Sequence, residues 1–237
     1  MLIATQLREN LARVRERMAA AAKQAGRDVA EITLVGVTKY VSSDIARELF
    51  AAGVTDLGES RPQELERKTA DLADLPIRWH FVGHLQRNKI KTLPNTCLLQ
   101  SVDSMRLLEA LQQEALSRQI TWPILVEVNI SGDAAKHGFS PAEMPGVISK
   151  LPEFPNLSLQ GLMTMAALEG GIERARVDFR ALRELRDYLA TLQGTPPLPQ
   201  LSMGMSDDME AAIAEGATFV RIGSALFEGL DDGPATA

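Results

Sequence analysis

The sequence predicts an α/β fold, a single (β/α)8 TIM barrel with an extra N-terminal helix. Three observations carry this reading. Eight short β-rich runs occur, helical patterns fill the gaps between them, and 237 residues with 45% hydrophobic composition suit one barrel. The competing architecture, a doubly wound open sheet, would use fewer strands and leave sheet edges. No Pro/Gly/Ser-rich linker divides the chain, so residues 1–230 read as one domain and 231–237 as a frayed tail of low apolar content.

The elements follow in order. Leu7, Leu11, Val14, Met18, Ala21 and Ala25 recur in steps of three and four, the spacing of one helix face, and Gly26 stops that helix. The β-rich runs lie at 32–38, 55–58, 79–82, 97–102, 124–130, 159–163, 200–203 and 218–222. Helical patterns span 44–52, 62–72, 85–91, 104–119, 141–151, 172–192 and 209–215. Several of their starts carry capping residues, as in Ser42-Ser43-Asp44, Asp103-Ser104 and Ser140-Pro141.

The charge balance narrows the function classes. With 25 Lys and Arg against 31 Asp and Glu, the net charge is −6, which lacks the basic surface that nucleic acid requires. A small anion remains possible as a ligand, because a few local donors hold one phosphate. The single cysteine, Cys97, lies in an apolar run and reads as a small core residue. The start lacks a secretory pattern, and no apolar run approaches the roughly 18 residues of a membrane span. The expected location is the cytoplasm, away from membranes.

Barrel sites cluster at the carboxyl ends of the strands, and there the polar and glycine residues of this chain gather. The first strand, of Val, Ile and Leu, ends in Thr38-Lys39. Taken alone, Lys39 either marks an exit into solvent or is a desolvated amine, the kind that becomes a Schiff-base nucleophile. The seventh exit, 202–210, places Gly204, Met205 and Ser206 before a helix, and the eighth places Gly223 and Ser224 likewise. Two glycine–serine helix starts on neighbouring loops form a phosphate cup. The plainer reading of the seventh exit is capping by Ser206 or Asp207, with Asp207 and Glu210 spaced as a capping box. Arg221 lies inside the eighth strand, either in a structural ion pair or as a donor to a ring nitrogen or an acid. His80 reads as a satisfied core histidine. His80 and His84 match no Cys or Asp/Glu ligand spacing, so no metal site is expected. A lysine amine opposite a phosphate cup suits an aldehyde that is also a phosphate ester: pyridoxal 5′-phosphate or a sugar phosphate.

Longer motifs sharpen this. Gly36-Val-Thr-Lys39, Gly58-Glu59, the run 79–89 (WHFVGHLQRNK), the run 201–210 (LSMGMSDDME) and the run 220–227 (VRIGSALF) together resemble the pyridoxal phosphate homeostasis proteins, a stand-alone barrel group similar to the N-terminal domain of alanine racemase. The resemblance runs from about Leu7 to Gly229. It implies a pyridoxal phosphate Schiff base on Lys39, phosphate contacts from Ser206, Gly223 and Ser224, and Arg221 beside the pyridine nitrogen. Met163, Met205 and His84 would lie near the pocket. Ser60 stands where the family usually has asparagine, which puts any ring contact of that asparagine in doubt. Lys136 matches a second lysine of the family, an alternative or transfer site for the cofactor.

Aminotransferase-type chemistry needs an acid that keeps the ring nitrogen protonated. A guanidinium would leave that nitrogen neutral. Racemisation tolerates this in alanine racemase, where a second domain supplies an opposing acid/base; no such domain is expected here. The expected function is therefore cofactor buffering and delivery to apo-enzymes in vitamin B6 homeostasis, by a monomer with little or no turnover. The alternatives are a weak amino-acid racemase and a Schiff-base aldolase.

Overall fold

The computed structural model describes residues 2–167 and 169–230; the tail expected at 231–237 lies outside them. Eight parallel strands close into a barrel in sequence order. They are β1 (Thr33–Val37), β2 (Asp56–Glu59), β3 (Arg78–Phe81), β4 (Leu98–Val102), β5 (Trp122–Glu127), β6 (Leu157–Met163), β7 (Gln200–Ser202) and β8 (Phe219–Ile222). Closure comes from β1 against β8, with Val35 opposite Arg221 and Gly36 opposite Ile222. Closure removes every sheet edge, and the open-sheet alternative is excluded.

The helices are α1 (Leu2–Gln24), α2 (Ser43–Ala51), α3 (Pro62–Asp71), α4 (Met105–Arg118), α5 (Met144–Lys150), α6 (Gly171–Ala190), α7 (Met209–Ala214) and α8 (Ser224–Phe227). Leu7, Leu11, Val14, Met18 and Ala21 of α1 are all buried, as their spacing predicts. The eighth strand is followed by a helix of only four residues, and α1 covers that flank by packing on α7 and α8. Asn10 fixes the contact, its Nδ2 donating to the carbonyls of Leu226 and Glu228 at 2.9 Å each.

Two expected elements differ. The pattern at 85–91 forms a 3-10 helix, Arg87–Thr92, rather than an α-helix. The fifth strand ends at Glu127 instead of running to Ile130. Beyond it, Val128 forms a single bridge to Phe139, so the intervening loop folds back on the strand. Gly138 permits this with φ +113°; a Cβ there would meet Asn129 N at 2.8 Å.

The core lies in the ring between sheet and helices. Cys97 belongs to it, and burial pushes its thiol up to about 12.

Candidate functional site at the carboxyl end of the barrel

β1 delivers Thr38 buried and Lys39 exposed. The Lys39 ammonium sits 4.8 Å above the centre of the Tyr40 ring, a surface cation–π contact. Of the two readings of Lys39, an exit into solvent or a desolvated amine, the structure shows the first. The enclosed ammonium belongs to Lys68, which α3 turns inward beside Leu65. Lys68 Nζ donates to Glu59 Oε1 and to the Thr38 carbonyl, at 2.6 Å each. Thr38 Oγ1 donates to the same Glu59 oxygen at 2.6 Å, while Glu59 Oε2 is buried without a partner. A buried lysine is costly unless paired. This one neutralises Glu59 and holds the carbonyl immediately before Lys39.

The seventh and eighth exits meet as expected, though by a different route. Gly204 has φ +92°, and a Cβ there would come within 2.5 Å of Ala212 Cβ, so this tight turn needs glycine. Ser206 does not start a helix; it lies three residues before Met209, the first residue of α7. The Asp207–Glu210 capping box is not formed. Asp208 closes the turn by accepting from Met205 N at 2.6 Å, and Glu210 pairs instead with Arg17 of α1 at 2.7 Å. The eighth exit does open a helix, at Ser224. Ser224 Oγ donates to Ser206 Oγ at 2.9 Å, and Ala225 N points at Ser206 Oγ from 3.3 Å. Gly223 lies against β1: a Cβ there would stand 3.4 Å from the Val37 carbonyl. Sequence reasoning missed Arg17, whose Nη2 donates to the Ser206 carbonyl at 2.8 Å. Nothing distinguishes it in the sequence from any arginine on the polar face of a helix.

Arg221 is buried and forms no ion pair among the described residues. Its Nη1 donates to Ser202 Oγ at 2.5 Å and its Nη2 to the Thr164 carbonyl at 3.0 Å. Burial draws its pKa down to about 10, against the carboxylates of Glu127 and Asp208, so it is a cation at neutral pH. Ser202 Oγ in turn meets Gln100 Oε1 at 2.6 Å, and Gln100 Nε2 meets His80 Nδ1 at 2.7 Å. His80 Nε2 then meets Asp56 Oδ1 at 3.1 Å. β7 and β4 are not neighbours in the sheet, so this chain of bonds crosses the barrel interior. His80 is the satisfied core histidine expected.

The remaining candidates ring the mouth. Met205 is exposed, and Ser60 is half-buried beside Gly83, where a Cβ would run into the Ser60 carbonyl. Met163 is buried inside the barrel with Val35, Leu125 and Phe219. Lys136 Nζ reaches across to the carbonyls of Met165 at 3.2 Å and Ala166 at 2.5 Å. His84 is exposed and turned toward Asp103. Glu127 lies at the end of β5, and burial pushes its pKa up to about 7, with the Asp103 charge adding to the effect. A cavity of about 460 Å³ lies elsewhere, at the strand starts, and its charged groups already have partners: Arg78 pairs with Asp56, and Arg15 donates to the Gly53 carbonyl.

The alanine racemase N-terminal domain family matches residues 4–231. The pyridoxal phosphate homeostasis protein of Pseudomonas aeruginosa is 42% identical over 95% of this chain and 96% of its own. That of Escherichia coli K12 is 36% identical over 94% and 96%. This chain belongs to the pyridoxal phosphate homeostasis protein family. The structure of PipY from Synechococcus elongatus with pyridoxal phosphate bound superposes with a TM-score of 0.79 at 32% identity, covering 93% of this chain and 99% of PipY. Alanine racemase from Corynebacterium glutamicum, 19% identical with a TM-score of 0.65, shares the fold. It covers 98% of this chain, while this chain spans 65% of the racemase. No helix among the described residues of this family member is long and apolar enough to cross a membrane.

Proposed function

We propose that this protein binds pyridoxal 5′-phosphate covalently through the Lys39 amine and serves vitamin B6 homeostasis. It buffers the cofactor and hands it to apo-enzymes, with little or no turnover. The observation that supports this reading is the pairing of β1 with β8, the strands that lead into Lys39 and into Ser224, whose hydroxyl is joined to that of Ser206. These residues fit the group. Two hydroxyls, the Ala225 amide and the glycine backbone at 223 offer donors to a phosphate.

When bound, the cofactor supplies an aldehyde and an electron-accepting ring. The chain decides how much of that chemistry proceeds. Arg221 would face the ring nitrogen as a donor that keeps its proton, so the nitrogen stays neutral and the electron sink weak. Met205, Met163, Ser60 and His84 would bound the pocket, and Lys136, half-buried across the mouth, would serve as a transfer site. The exposure of Lys39 favours reversible loading from solvent, as a buffer and donor requires. The protein would act as a monomer in the cytoplasm.

Loading the purified protein with pyridoxal phosphate and reducing it with borohydride tests this. The expected result is a pyridoxyl mass on the Lys39 peptide, lost in Lys39→Ala. Unchanged affinity in Lys39→Ala would sink the anchor, and conversion of L-alanine above a trace rate would sink the non-catalytic part.

A further inference from the structure

Three successive strand exits bring two imidazoles and one carboxylate to a single point, of which the cofactor reading uses only His84. His84 follows β3, Asp103 follows β4, and His137 lies in the loop beyond β5. His84 Nδ1 is 2.8 Å and His137 Nδ1 3.9 Å from the same oxygen, Asp103 Oδ2. The two rings stack, their centres 3.9 Å apart and their planes 12° apart. One donor atom from each of the three residues lies within 4.8 Å of the others.

An ordinary histidine–aspartate pair needs only one imidazole. The second ring gains no hydrogen bond at 3.9 Å, and two stacked imidazoles repel if both are charged. A divalent cation resolves both difficulties. Neutral imidazole and carboxylate donors bind such an ion at about 2.0–2.2 Å. Two ligands sharing a metal therefore stand roughly 3–4 Å apart, close to the separations found here. Asp103 is anchored, with its side chain 7% exposed, while the histidine side chains, 46% and 57% exposed, have room to unstack and turn their ring nitrogens onto a shared ion. Two nitrogens and one oxygen select a borderline ion of the Zn2+, Co2+ or Ni2+ class over Mg2+ or Ca2+.

We propose that His84, Asp103 and His137 form a divalent transition-metal site at the rim of the barrel, with an outward coordination position open to water. No sequence spacing reveals it, because its ligands come from three separate loops. Metal there would join the β3, β4 and β5 exits and pin the loop that carries Lys136 beside His137.

The test titrates the full-length, tag-free protein with ZnCl2 by calorimetry and with Co2+ by visible absorption. We expect one Zn2+ per chain and the d–d bands of a Co2+ site of low coordination number. His84→Gln and His137→Gln should each weaken binding by about tenfold or more, and the double variant should lose the Co2+ bands. His137 is exposed and makes no hydrogen bond to Asp103, so the metal-free melting temperature of His137→Gln should match the parent's. Added Zn2+ should raise only the parent's. Lys39→Ala should keep the site, which separates this proposal from the cofactor reading. Absence of Zn2+ binding, binding that survives in the double variant, or loss of binding in Lys39→Ala would overturn it.

Discussion

Asp56 at the floor of the barrel and Glu127 at its mouth are equally shielded, each 4% exposed. Their acidities diverge all the same. Asp56 is held down at about 2, because hydrogen bonds from His80 and Arg78 outweigh its burial. Glu127 rises to about 7, because burial and the Asp103 charge outweigh Arg221, His84 and Lys136, which act on it only through space. Burial alone does not set the charge of a buried acid; contact with a donor does. The floor commits its charges to one another and is structural. The mouth leaves charge uncompensated, the condition in which a ligand is worth binding.

The largest expected effect comes from turning one kind of acid into the other. Glu59 is a mouth residue paired as the floor is, through Lys68. Lys68→Met would leave its charge buried with only the Thr38 hydroxyl on it, costing about 3–5 kcal/mol in urea unfolding at pH 7. The double variant Lys68→Met with Glu59→Leu should recover most of that loss. If the single variant unfolds like the parent, contact does not govern these acids.

Glu127 provides the next test. Its pKa is about 7 folded against an ordinary 4.5, so the folded state holds a proton that the unfolded state releases. Stability from this group is present below about 4.5 and is lost as pH rises through about 7, by up to about 3 kcal/mol. Glu127→Gln should remove that decline, so parent and variant should separate in melting temperature between pH 5 and 8. Parallel curves would refute the raised acidity.

Asp56 runs the opposite way. With a folded pKa of about 2 against 3.8, its contribution is present above about 4 and lost as pH falls through about 2, amounting to about 2 kcal/mol. Asp56→Asn should be less stable than the parent at pH 7 and should converge on it in acid. The smallest effect on stability belongs to Lys39→Ala, within about 0.5 kcal/mol because the side chain is exposed. The same change should abolish borohydride trapping, and a large loss of stability would show Lys39 to be structural.

The sequence makes the barrel legible because strand patterns and turn residues are local. All eight strands lie within a few residues of their expected positions, and Ser206 and Ser224 meet as their loops suggested. What stayed hidden depends on side chains that meet across long separations. Lys68 looks like any helix lysine until α3 is docked on β2. The apolar strand before Lys39 left a solvent exit and a desolvated amine both open, and the chain turns outward right after Thr38. His84, Asp103 and His137 become one cluster only when three loops are brought together.

The flank covered by α1 has a consequence for the order of assembly. Asn10 waits for carbonyls 216 and 218 positions further along, at Leu226 and Glu228, and Arg17 waits for Ser206. On a ribosome, the part of the first helix that packs on α7 and α8 therefore stays uncovered until nearly the whole chain has been made. Contacts of such separation form late and slowly. The junction of Ser206 with Ser224 should thus be among the last parts of the barrel to mature, so loading of the cofactor proposed to sit there would report completed synthesis.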